Sequence, residues 1–170
     1  MEGIEQARAL ATETISTLIT WGSDFLIAII FFAALFAFGW YRGRGPLLAL
    51  LMSFYIAYAV YDLFPYASLF PASPASLVLL WHTGVFAVCT AAIYFIVRRG
   101  VSQNAVSYGT FGFIALPLLG AGFLLALAYQ VFPVREVYTF TPAIDALFAP
   151  KEFFFWWFVA PIIGLFFLAR

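Results

Sequence analysis

Residues 25–46 read FLIAIIFFAALFAFGWYRGRGP, and this stretch decides the fold. Phe25 to Phe38 carry no charge and no polar side chain. A bilayer core about 30 Å thick is crossed by about 20 such residues in a helix. A backbone in lipid must pair its own N–H and C=O groups, and a helix does so within one segment. The run closes on Gly39, Trp40 and Tyr41, and aromatic rings favour the headgroup layer. Arg42-Gly43-Arg44-Gly45-Pro46 follows. The arginines stop the span, and Pro46 suits the first turn of a new helix, where a missing N–H costs nothing. The connection is too short for anything but a tight antiparallel pair.

Further along the chain the pattern recurs. The sequence predicts an all-α, polytopic membrane protein forming one domain over 1–170. Five transmembrane helices are expected at about 25–41, 46–63, 75–97, 108–132 and 152–169. Residues 1–20 show a weak apolar face, with Ile4, Ala7, Ala11, Ile15 and Leu18 at steps of three and four, and read as an amphipathic N-terminal helix. Their acidic start does not resemble a secretory signal peptide. Pro65, Pro71 and Pro74 mark a loop. Between spans 4 and 5, Thr141-Pro142 opens a short interfacial or partly re-entrant helix reaching Phe148, with Ile144, Leu147 and Phe148 on one side. Pro117 and Pro161 are expected to bend their helices. No internal repeat supports an inverted-repeat transporter.

Composition agrees. Of 170 residues, 65% are hydrophobic and 9% charged, against about 45–50% and 25% in soluble domains. That excludes an ordinary soluble domain, a disordered chain and a nucleic-acid binder. Charge placement gives orientation. If five helices alternate sides, one side holds Arg42, Arg44, Arg98, Arg99 and Arg170 and no acid. The other holds Arg8, Arg135 and Lys151 with all eight acids. Basic residues near span ends stay in the cytoplasm. The amino terminus is therefore expected outside and the carboxyl terminus inside.

Few residues suggest chemistry. His82 is the sole histidine and lies about 12 Å into the third helix by its rise. An ionisable group within a span invites a functional hypothesis, although a neutral imidazole bonded to a tyrosine or a carbonyl is the simpler reading. Asp62, at the outer end of span 2, is placed either to pair with it or to stand solvated at the lipid surface, and Gln130 is an expected interfacial or interhelical hydrogen bonder. Arg42 and Arg44 are candidates for contact with anionic lipid or a partner. Gly39, Gly43, Gly109 and Gly112 are candidates for close helix packing. Cys89, the only cysteine, reads as a small buried residue. No cofactor or metal site is expected, and no catalytic motif is visible.

The stretch Trp21-Gly22-Ser23-Asp24, the span after it and the turn Arg42-Gly43-Arg44-Gly45 resemble the start of the colicin V production protein family, small bacterial inner-membrane proteins. Asp24 before the first span and Arg42-Gly43 before the second carry the resemblance over about residues 21–62, and Gly109 and Gly112 fit it further on. It implies an inner-membrane location and a role in envelope function and export-linked production of a secreted toxin. It implies no catalytic residues. The leading expectation is a non-enzymatic protein that acts by assembly in the bilayer, as a homo-oligomer or with a membrane partner. The alternative is a small proton- or solute-linked transporter or channel, with His82 and Asp62 in an outward vestibule.

Overall fold

The computed structural model describes residue 22 and residues 25–65, 71–100 and 109–168. The helix expected over 1–20, together with Asp24 and Arg170, lies outside the described residues. Among the described residues every regular element is a helix, and none is a strand. Helix α1 is Phe25–Arg42. Helices α2 (Arg44–Asp62), α3 (Ala75–Gly100) and α4 (Thr110–Gln130) follow, then a 3-10 turn (Val134–Glu136), α5 (Pro142–Phe148) and α6 (Lys151–Leu168). Helices α1 to α4 are long and apolar enough to cross a membrane.

One residue separates α1 from α2. Gly43 takes φ 90° and ψ 178°, a backbone region that a Cβ disfavours. Its N–H donates to the Gly39 carbonyl at 2.9 Å and closes the last turn of α1. The chain reverses at once. A Cβ at Gly39 would stand 3.0 Å from Leu47 Cδ2 and 3.5 Å from the Phe113 ring. Leu35, Leu47 and Leu51 are buried in the same cluster.

Helix α4 forms the centre. Gly120 and Gly122 are two residues apart, hence about 200° apart around a helix of 3.6 residues per turn. They open opposite faces to different neighbours. A Cβ at Gly120 would lie 2.6 Å from Leu51 Cδ2 and 3.0 Å from Leu35 Cδ1. A Cβ at Gly122 would lie 2.4 Å from the Trp157 ring of α6. In return, a Cβ at Gly164 of α6 would meet Leu119 at 2.5 Å. Missing side chains let these helices approach closely, as lipid-embedded packing requires. Pro117 and Pro161 are buried inside α4 and α6, and both helices continue past them.

Aromatic rings weld the remaining contacts. Tyr55 stacks on Phe123 with centroids 4.6 Å apart, and its hydroxyl donates to the Phe158 carbonyl at 2.7 Å. Helix α3 joins at the edge through Phe86 against Phe54 and Tyr94 against Phe38. Helix α5 is docked rather than free. Ile144 and Phe148 are buried against Leu125, Ala126 and Tyr129, and the Tyr129 hydroxyl donates to Asp145 Oδ1 at 3.1 Å. Leu147 departs from its expected place on that face, being 48% exposed. A seven-residue helix buries one i, i+4 pair, here 144 and 148. The Leu147 backbone carbonyl is used instead, accepting from Trp157 Nε1 at 3.1 Å.

Candidate functional site: a polar vestibule at one end of the bundle

The last turns of α2 and α4 and the start of α3 meet at the same end of the molecule. They enclose a cavity of 350 Å³ lined by Tyr58, Tyr61, Asp62, Phe64, His82 and Gln130, with Val131 beside them. Tyr58, Tyr61 and Asp62 stand at i, i+3 and i+4 on α2, so one face carries all three. Val85 and Cys89 of α3 line a different, apolar groove with Trp81 and Gly84.

His82 is half-buried, and its Nδ1 shares a hydrogen bond with the Tyr61 hydroxyl. The imidazole tautomer sets which of the two donates. The Tyr61 ring stands edge-on to His82, Phe86 and Phe132. Phe86 and Phe132 meet edge-to-face at 5.4 Å and line a separate apolar cavity of 570 Å³. Through Tyr61 the vestibule adjoins the buried core, the cluster that holds Phe54, Phe86, Phe123 and Leu127.

Gln130 Nε2 donates to the Phe148 carbonyl at 2.9 Å and the Ala149 carbonyl at 2.8 Å. These are orphan carbonyls at the end of α5, so the amide ties α5 to the rim. Asp62 is exposed at the rim, and no described residue forms an ion pair with it. Neither α2 nor α4 has a basic residue in its last turn. The site therefore gathers a carboxylate, an imidazole, two phenols, an amide and two helix C-termini. It can bind polar or cationic groups, and the Tyr61–His82 pair can hold a proton.

The structure thus brings together His82, Asp62 and Gln130. Sequence reasoning passed over Tyr58 and Tyr61, whose spacing to Asp62 was the available signal. The other candidates lie elsewhere. Arg42 and Arg44 are exposed at the α1–α2 turn, where Arg44 lines a shallow cavity of 470 Å³ with Gly39, Trp40, Gly43 and Phe113. Gly39 and Gly112 are buried. Gly43 and Gly109 have no described atom within 4 Å of a built Cβ, so Gly43 acts through its backbone angle and not through packing. Cys89 is half-buried on α3. Among the described residues, no group of three or more His, Cys, Asp or Glu could hold a metal.

No protein family, no curated protein and no solved structure matches the chain.

Proposed function

We propose that the chain is a five-span protein of the bacterial inner membrane that works by assembly and without catalysis, docking another membrane-embedded chain on the outer face of α3. Helix α6 is the fifth span. Its 18 residues reach the length a span needs, about 17–25. A fifth crossing also puts Arg170 on the same side as Arg42, Arg44, Arg98 and Arg99, which sets the amino terminus outside.

The composition of exposed faces carries the assembly reading. On α6 the exposed side chains are large: Phe153, Phe155, Trp156, Ile162, Ile163, Phe166 and Phe167. Such a face suits lipid. The middle of α3 exposes Thr83, Gly84, Ala87, Ala91 and Ala92, with Val88 the one larger side chain among them. Helix interfaces in membranes are rich in small residues because backbones must come close. Apolar grooves of 510 and 570 Å³ flank this face. The likeness to colicin V production proteins favours the same reading and suggests envelope function or toxin export as its setting.

Particle size in nanodiscs tests it. The expected result is a particle larger than one copy, or a co-purifying partner, reduced to the single chain by Ala87→Leu with unchanged melting. A single-chain particle with no partner in the native sequence overturns it.

A second reading, solute- or proton-linked transport, is favoured by the gathering of His82, Tyr61 and Asp62 in one cavity. The buried core that Tyr61 packs against then has to part during each cycle. Reconstituted vesicles would show flux, and His82→Ala would abolish it while leaving the fold intact.

A further inference from the structure

The vestibule has a sign. Its one fixed charge is Asp62. The helix termini add to it, since a helix C-terminus carries roughly half a negative charge on its unpaired carbonyls. Two such ends, of α2 and α4, converge here, and neither has the basic residue in its last turn that commonly offsets it. Gln130 commits its amide N–H groups to Phe148 and Ala149, leaving its oxygen as an acceptor. Acceptors and negative potential therefore collect around 350 Å³ of space that no described lysine or arginine lines.

A bare metal ion does not fit this donor set. Calcium takes about 6–8 oxygens, most of them charged or carbonyl, and the cavity offers one carboxylate. The phenol rings point to a different cation. Tyr58 and Tyr61 line the cavity together with Asp62, and an aromatic face attracts an alkylated ammonium that has lost part of its water. The size lies within the range of small-ligand sites, about 300–1,000 Å³.

We propose that the vestibule binds an organic ammonium ion, with Asp62 as counter-ion and the Tyr58 and Tyr61 rings against its alkyl groups. The ammonium belongs either to a free amine arriving from the outer face or to the headgroup of a zwitterionic lipid at the rim. The inference does not depend on assembly through α3. It rests on the vestibule being a binding site, and not on whether that site conducts.

The test is calorimetric titration of the full chain in nanodiscs, using tetramethylammonium and ethanolammonium chloride against sodium chloride. In phosphatidylglycerol discs, saturable binding of an ammonium is expected and none of sodium. Asp62→Asn should weaken it about tenfold, as loss of a charged partner does. Tyr58→Leu should weaken it about fivefold, the scale of one cation–π contact, and Tyr58→Phe should restore it. Asp62 is exposed at a helix end, so its substitution should leave the melting curve unchanged, and that is measured alongside. Phosphatidylethanolamine discs separate the sources: competition there assigns the lipid headgroup, and undiminished binding assigns a free amine. No saturable binding of either ammonium in phosphatidylglycerol discs overturns the proposal, as does binding that Asp62→Asn leaves intact. Flux assays are read separately, so a binding protein that does not transport is still recognised.

Discussion

Helices α3 and α4 are both long, apolar and broken by glycine, yet they occupy opposite situations. In α4, 56% of the most apolar window is buried within the protein, and in α3 only 11%. Helix α4 is wrapped by α1, α2, α5 and α6, whereas α3 leans chiefly on α2. The difference lies in how small residues are spent around the helix. Gly120 and Gly122 open two opposite faces of α4, and each opening is filled by a side chain of a neighbour, Leu51 or Trp157. Gly84 of α3 faces no neighbour of this kind, with no described atom within 4 Å of a built Cβ. In lipid, hydrophobicity does not choose the central helix, because the tails are as apolar as leucine. The helix that can be approached from the most directions takes the centre.

The largest effect that would break this comparison is at Gly122. Leucine there has no room, since the Trp157 ring occupies the Cβ position and is itself fixed by stacking on Phe148 at 5.0 Å and by its bond to the Leu147 carbonyl. Overpacking of a rigid site typically costs about 1–3 kcal/mol, and here the upper end is expected. Thermal unfolding in nanodiscs should show a large drop in midpoint or no folded yield. A variant that melts like the parent would mean that α6 is not held against α4 as described.

Gly120→Ala should do less. Its clashes are with the methyl ends of Leu51 and Leu35, and leucine rotamers can give way. A loss of about 1 kcal/mol is expected, visible as a modest shift of the same midpoint. An effect at Gly120 that exceeds the one at Gly122 would show that the α1–α2 side, and not α6, is the tighter contact.

Much of this was legible in advance, and the exceptions have physical causes. Helix positions came through well: the span expected at 75–97 is α3, Ala75–Gly100, and that at 108–132 is α4, Thr110–Gln130. Lipid leaves the backbone one option, so an apolar run and its charged ends are nearly enough. Which face meets which neighbour was harder to read. Gly109 and Gly112 mark span 4 for close packing in the sequence, but its place at the centre depends on Gly120 and Gly122 pointing opposite ways, which a list of small residues does not convey. His82 and Asp62 stood out because ionisable groups are scarce here. Tyr61 did not stand out among nine tyrosines and 22 phenylalanines, although it is the residue that holds His82. Leu147 was misplaced because a helix of seven residues has no long stripe to set its phase.

At the α1–α2 turn the expected effects are smaller and separable. Gly43 has φ 90° and open space around it. Alanine and leucine should therefore be equally harmful, by about 1–3 kcal/mol, since the positive-φ, extended-ψ backbone and not bulk is the difficulty. Asparagine should be no milder, since φ 90° with ψ 178° is a region open essentially to glycine alone. Arg44→Gln should do less than any of these, because a juxtamembrane charge near anionic lipid is worth about 1 kcal/mol and Arg42 remains. Membrane yield and melting of the four variants settle the order. If Arg44→Gln is the most damaging, the turn is a recognition site for lipid or partner.

The smallest expected effect sharpens the comparison most. Gly84→Leu places a large side chain in the middle of a 26-residue helix, the same exchange that should wreck α4 at Gly122. Here a built Cβ meets no described atom within 4 Å. Glycine is also a poor helix interior residue, by roughly 0.5–1 kcal/mol relative to alanine, so the helix itself gains. Melting of the single chain in detergent, at a dilution where assemblies have come apart, should be unchanged or slightly raised. The same variant in nanodiscs should lose its partner, because leucine at 84 fills the close-approach face of α3. The two readouts separate what the residue does within the chain from what it does between chains. Unchanged melting with unchanged particle size would assign this face of α3 to lipid and remove it from the assembly, whereas lowered melting would mean that α3 is packed within its own chain more closely than Gly84 indicates.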